Sequence, residues 1–408
     1  MTSPGSAPSA QRSLLGHATF YVTSFATLGI YMQFFPGWLR AAGAFTEGQV
    51  SLVLSAQTIA RTAMGPFWSH LVDRLGGART IVIGLSCASI GAVLLFGLGG
   101  PWQLAWLAAL LFGAVYSPMF PIVDGAAMHG ANVHGYAFGR VRMAGSISYL
   151  VVILLMGGCL DLFGGGIVFP VLVAAMVAMA ASSFALARDV QPAPAEAAAP
   201  AAPPTPWWHL LRSRPFVLLL VATAAIQGSH ATFYNLSTMH WRDHGIDNTM
   251  AGVLWAEGVL AEIVLFLVAR ETVERLRPTT LILLGGGAAV LRWCVVGATT
   301  SVPWLLATGW LHALSFGCTY LGSLRALERR VPAAQRATAQ GLLGAANSGL
   351  GMVVCGVSGG LVYERWEGFA FFLMAAFAGV GVGLSLCLRR MADSKSIAPI
   401  KAATENPE

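Results

Sequence analysis

Charge is what this chain of 408 residues has least of: Asp, Glu, Lys and Arg make up 10% of it, where a soluble domain carries about 25%. So small a share excludes an ordinary soluble enzyme, and a hydrophobic share of 56% excludes a disordered or fibrous chain. Cysteine is sparse as well. All six (Cys87, Cys159, Cys294, Cys318, Cys355, Cys387) lie inside apolar segments without metal-ligand spacing, which argues against a disulfide framework or a zinc site. Neither a His-Glu-x-x-His helix nor a paired-aspartate Gly-x-Gly-Asp motif occurs, so no catalytic residue, metal or cofactor is expected.

What is present is apolar sequence in long blocks, with a mean hydropathy of +0.68. At roughly 20 residues per crossing, the blocks fill about a dozen membrane-spanning helices. Expected spans are 16–40, 48–71, 78–99, 102–128, 136–162 and 164–187, then 215–241, 248–270, 279–299, 303–327, 336–363 and 367–388. Residues 1–15 and 389–408 read as tails. Between the two sets, residues 188–214 hold the low-complexity string QPAPAEAAAPAAPPTP, an extended linker that cannot bury a core. Six spans, a polar linker and six more is the layout of the major facilitator transporters. The fold class expected is therefore all-α integral membrane, with two six-helix bundles.

A formal net charge of +6 would suit nucleic acid, but the basic residues are scattered in short clusters between apolar blocks. They read as orientation signals, and no nucleic-acid partner is expected. Of the 24 basic residues, nineteen fall on the side of the N-terminus by alternation, three (Arg40, Arg242, Arg365) on the other, and two (Arg61, Arg292) inside spans. That asymmetry places both termini in the cytoplasm.

Asp73-Arg74-Leu75-Gly76-Gly77-Ala78-Arg79, between spans two and three, resembles the major facilitator loop motif Gly-x-x-x-Asp-Arg-x-Gly-Arg-Arg. It departs at Ser69, Gly77 and Ala78. The resemblance implies that Asp73, Arg74 and Arg79 latch the cytoplasmic helix ends in one transport state; the alternative is a solvated turn. Only a degraded copy stands at Arg270–Arg277.

Span five opens with Phe138-Gly139-Arg140-Val141-Arg142-Met143-Ala144-Gly145-Ser146, which resembles the helix-five signature shared by lactose permease and the phenylpropionate permease family. Asp124 lies about 8 Å inside the end of span four and Arg142 about 9 Å inside the start of span five, so a buried Asp–Arg pair is feasible. Tyr149, seven residues on, shares a face with Arg142. The resemblance implies substrate contacts for all three residues; a structural ion pair and an interfacial tyrosine are the alternative.

In span seven, Gln227, His230 and Tyr234 share one face and resemble the helix-seven signature of the phenylpropionate family. They read as a cavity wall or as interhelical hydrogen bonds. Glu257 and Glu262 in span eight, Arg292 in span nine and His312 in span ten form the strongest constellation. The spacing of Arg292 and His312 matches lactose permease, and the span-eight acid of the phenylpropionate family aligns with Glu262. Depth arithmetic gives roughly 20 Å for Glu257, 12 Å for Glu262, 21 Å for Arg292 and 22 Å for His312 from the cytoplasmic side, which puts Glu257 level with the cluster. Such a cluster can couple proton binding to transport, against a purely structural network. Lactose permease has a glutamate three residues after its span-ten histidine; here that position is Ser315. Arg61, inside span two, binds an anionic substrate or pairs with a neighbouring helix. Tyr31, Gln33 and Asn347 are lesser cavity candidates.

The expectation is a monomeric, bacterial-type inner-membrane secondary transporter that couples protons to a small organic, aromatic acid. A sugar or nucleoside is the runner-up, favoured by Asp124, Arg142 and Tyr149. The rival of another class is a membrane sensor or assembly factor on the same fold. Its weakness is that it gives the intramembrane polar network no purpose, and the chain carries no soluble sensory domain.

Overall fold

The computed structural model of the chain describes residues 7–75, 77–186, 208–268, 275–332 and 335–393. The string QPAPAEAAAPAAPPTP, most of the degraded loop copy and Lys395 and Lys401 lie outside them. Among the described residues all regular structure is helical. In the first half, α1 runs Ala7–Gln33 and resumes as Phe35–Gly43; α2 is Glu47–Leu75, α3 Ala78–Leu94, and α4 Trp102–Tyr116 continued by Met119–His134. Then come α5 (Phe138–Phe163) and α6 (Val168–Ser183). In the second half, α7 is Arg214–Gly228 resuming as His230–Asp243, α8 Asn248–Val268, and α9 Pro278–Ala298. The tenth, α10, runs Val302–Gly309, a π-helical stretch Ala313–Cys318, and Thr319–Arg330; α11 is Arg336–Gly344, a second π-helical stretch Ala345–Gly351, and Met352–Trp366; α12 is Phe369–Asp393.

Nine helices among the described residues are long and apolar enough to cross a membrane. The remaining three, α1, α2 and α10, are as long but diluted by polar residues: Ser51, Ser55, Gln57, Thr58 and Arg61 on α2, and His312, Ser315 and Thr319 on α10. Large apolar side chains such as Leu104, Leu107 and Leu111 on α4 stand exposed at helical spacing. That is the surface expected against lipid, where water would penalise it.

The described residues form two compact units. Unit one comprises those of Met1–Ala197 together with Trp241–Val253; unit two comprises those of Ala198–His240 and Leu254–Glu408. Within unit one, α1 packs on α5 and α6, and α3 on α4 and α6. Within unit two the pattern recurs six helices later: α7 packs on α11 and α12, and α9 on α10 and α12. An aromatic ladder fills unit one, with Tyr31 between Phe35 and Phe112 at 4.8 Å each and Phe112 on Tyr116 at 4.7 Å. The end of α7 and the start of α8 belong to unit one through specific bonds. Asp161 on α5 accepts from the backbone N–H and side chain of Asn248 (2.9 and 2.6 Å) and of Thr249 (2.9 and 2.6 Å), capping the first turn of α8. Arg40 grips Asp243 in a bidentate pair at 2.6 and 2.7 Å.

In unit two, α7 and α11 touch backbone to backbone. A Cβ on Gly228 would lie 2.5 Å from the Gly351 carbonyl oxygen, and one on Gly351 2.6 Å from that of Ala224. Such approach needs small residues at the contact, as in other membrane helix pairs. The prediction is that Gly228→Ala, forced against backbone that cannot swing aside, costs about 1–3 kcal/mol and lowers the thermal unfolding midpoint of the purified protein. Gly287→Ala, with open space around it, leaves the midpoint unchanged or slightly raised. Equal midpoints for the two variants would contradict the close seam.

Candidate functional site

Each unit carries a polar cluster. In unit two, Arg292 on α9 is 3% exposed, and a guanidinium so placed needs compensation. Two rings flank it: its Cζ lies 4.3 Å from the centroid of Phe233 and 4.9 Å from that of Trp293. Its NH1 donates to Nδ1 of His312 at 2.8 Å. Because a guanidinium only donates, Nδ1 must accept, so the neutral ring carries its proton on Nε2. Nε2 lies 3.0 Å from Glu262 Oε1 and donates to it. The histidine thus relays between a cation on α9 and a carboxylate on α8.

The same logic sets the second histidine. His230 Nδ1 faces the carbonyl oxygens of Ile226 and Gln227, both at 3.2 Å, and so carries the proton. Nε2 accepts from Ser315 at 3.0 Å. Ser315, the position that departs from lactose permease, is therefore a partner of the α7 histidine. It lies in the π-helical stretch of α10, whose geometry leaves carbonyls outside the regular ladder. Gln227 Nε2 donates to the Phe316 carbonyl at 3.2 Å, which also accepts from the Thr319 N–H. Asn347, in the π-helical stretch of α11, accepts from Thr223 at 2.9 Å. Tyr234 lies 5.9 Å from the His230 ring and 5.8 Å from Trp255. The expected stripe Gln227, His230 and Tyr234 thus lies beside the Arg292 cluster.

Two expectations need correction. Depth put Glu257 level with Arg292 and His312; Glu257 does lie in the field of Arg292, but Glu262 is the residue that hydrogen-bonds to His312. Cα depth neglects side-chain reach, and five residues turn a helix by about 140°, so the two glutamates cannot share one direction. Glu257 instead lies against Gly309 on α10, in contact with the place a Cβ would occupy, and its Oε2 is buried without a hydrogen-bond partner.

The second correction is in unit one. Asp124 and Arg142 do not pair with each other. Asp124 Oδ1 accepts a short hydrogen bond from the Tyr21 hydroxyl. Arg142 lies over aromatic faces, its Cζ 4.6 Å from the Phe25 centroid and 5.5 Å from that of Tyr21, and its NH1 is buried with no partner. Tyr21 occupies the space between the two charges, which residue depth alone did not foresee. Tyr21 and Phe25 were missed by the sequence reading; their i, i+4 spacing on α1 was the available signal. Tyr149 accepts from Gln33 Nε2 at 2.5 Å. Arg61, on α2, is exposed.

Of the loop-motif residues, Arg74 is exposed and the side chain of Asp73 lies outside the described residues. Arg79 donates to the Phe184 carbonyl at 2.7 Å, at the C-terminal end of α6, where a cation suits the helix dipole. Among the described residues no group of three His, Cys, Asp or Glu could hold a metal. A Gly-x-Ser-x-Gly string, Gly356–Gly360, lies within α11, and Ser358 donates to Val354 O at 2.7 Å rather than standing at a strand-to-helix turn.

Among the described residues, long apolar helices in a six-helix repeat, with polar clusters inside them, are the architecture of a multi-pass membrane protein. The chain belongs to the MFS_1 like family, whose model matches residues 14–374. It is 26% identical over 365 residues to a probable 3-phenylpropionic acid transporter of Escherichia coli K12, covering 88% of this chain and 93% of that one. It is also 26% identical over 381 residues to the maltose permease of Geobacillus stearothermophilus, covering 91% and 93%. In fold it is similar to the nucleoside transporter NupG, with a TM-score of 0.80 over 93% of this chain and 98% of that one at 15% identity.

The tautomer argument is testable. Nitrogen-15 spectra of histidine-labelled protein will show His312 bare at Nδ1 and protonated at Nε2, and Arg292→Ala will release that preference. A proton on Nδ1 of His312 would contradict the relay.

Proposed function

We propose that the chain is a proton-coupled symporter of small aromatic acids, lying in a bacterial inner membrane with both termini cytoplasmic and working by alternating access. One observation carries the substrate class: Arg142 keeps a buried N–H without a partner while its face rests on Phe25 and Tyr21. A guanidinium with a free donor reads a carboxylate, and the rings beside it suit an aromatic body. The 3-phenylpropionic acid relative supports the same class. Asp124, Tyr149, Gln227, His230, Tyr234 and Arg61 line or approach the substrate. Glu257, Glu262, Arg292 and His312 handle the proton, and Asp73, Arg74 and Arg79 form the cytoplasmic latch. The second reading, a sugar or nucleoside, draws on Asp124 and the Gln33–Tyr149 bond, and on the maltose and nucleoside transporters similar to this chain.

Thermal shift and counterflow on purified protein separate the two. Added 3-phenylpropionate is expected to stabilise the wild type, maltose and uridine not. Losing a charge-assisted pair worth about 1.5–3 kcal/mol, Arg142→Ala should weaken acid binding by about 10- to 100-fold, and a double charge swap with Asp124 should not restore it. Stabilisation by the sugar or nucleoside alone would favour the second reading.

The latch has its own test. Asp73→Asn is expected to raise the labelling rate of a cysteine placed on the cytoplasmic cavity wall. An unchanged rate would remove the latch role.

A further inference from the structure

Unit two holds two half-buried carboxylates and one buried guanidinium, with Glu257 and Glu262 both in the field of Arg292. The groups around them on each packed helix are His312 on α10, Arg292 on α9, and His230 and Tyr234 on α7. Both histidines are neutral as bonded, since each ring nitrogen is already assigned as donor or acceptor. One positive charge therefore faces two potential negative charges. The hydrogen bonds say how it is divided. Glu262 accepts from His312, which in turn accepts from Arg292, so Glu262 is the carboxylate that is hydrogen-bonded into the guanidinium's chain. Glu257 has no place in that chain. Its Oε2 is buried, without a partner, against the bare backbone of Gly309. An ionised Oε2 there has no hydrogen-bond donor to hold it, whereas ionised Glu262 has one in His312, so Glu257 is the carboxyl that gives up its charge at the smaller cost.

We infer that Glu257 is the residue that takes up and releases the transported proton, while Glu262, through His312, remains the fixed counter-charge of Arg292. This rests on the symport reading above and assigns its proton to one residue. The step is a simple protonation: a carboxylate oxygen of Glu257 forms an O–H bond with a proton arriving from water on one side and gives it up to water on the other. No other reactant takes part. Gly309 is a positioning residue in this scheme. A methyl group there would push aside the end of a flexible side chain rather than backbone, so it would displace the Glu257 carboxyl without disturbing the helix pair.

Infrared difference spectra of the reconstituted protein during a pH titration read the carboxyl directly. The wild type is expected to show a protonated-carboxyl C=O band that disappears as pH rises. E257Q should lose this band, E262Q should keep it, and G309A should keep it with a shifted midpoint. Persistence of the band in E257Q with its loss in E262Q, or an unmoved midpoint in G309A, would overturn the inference. Vesicle transport adds a second arm. E257Q should lose uphill accumulation under an imposed pH gradient yet retain substrate counterflow, which also shows that it is folded. Accumulation by E257Q at the wild-type level would overturn the assignment alone. A wild type that binds and exchanges substrate but never accumulates it under the gradient would overturn the symport reading, and the assignment with it.

Discussion

Holding one guanidinium away from water is the constraint around which unit two is arranged. Arg292 satisfies it through two aromatic faces, a histidine nitrogen and, one bond further, a carboxylate. Each of these makes a demand elsewhere. The histidine must be neutral and fixed in one tautomer, which its two bonds enforce. The helices α8 and α10 must approach closely, and they do so at Gly258, where a Cβ would lie 3.3 Å from the His312 ring, and at Gly309. Immediately after His312 the helix widens into a π turn, and the carbonyl of Phe316 is met by Gln227. A charge that would be costly alone is thereby tied to four helices of the unit.

Unit one handles its arginine differently. Arg142 is supported by rings on one side but keeps a donor without a protein partner. The nearby carboxylate, Asp124, is occupied by a tyrosine hydroxyl. An arginine whose charge is internally balanced, as in unit two, is suited to a network that changes protonation. An arginine with a remaining donor is suited to a ligand that brings its own negative charge.

Much of this was legible in the residues. Block hydropathy made the helical membrane fold readable, because crossing a bilayer imposes a length on every helix. Of the three spans that fall short of that apolar standard, α10 brings His312 and Ser315 to the unit-two cluster and α1 brings Tyr31 to the aromatic ladder. Arg292 with His312 was readable from the resemblance to lactose permease and from residue depth. What spacing could not settle was which carboxylate reaches which cation. Glu262 rather than Glu257 reaches His312, and Tyr21 intervenes between Asp124 and Arg142, because side-chain direction is set by helix rotation and by neighbours distant in sequence. The π turns, too, leave little mark in composition, so Ser315 looked like the absence of a glutamate when it is the partner of His230.

The central claim is that this member of the family moves aromatic acids together with protons. It is tested most directly by following lumenal pH in proteoliposomes as substrate is added outside without any imposed gradient. An aromatic monocarboxylate should acidify the lumen in step with its entry, and maltose or a nucleoside should not. Lumenal acidification driven by the sugar or nucleoside, or entry of the acid with no accompanying proton, would contradict the account.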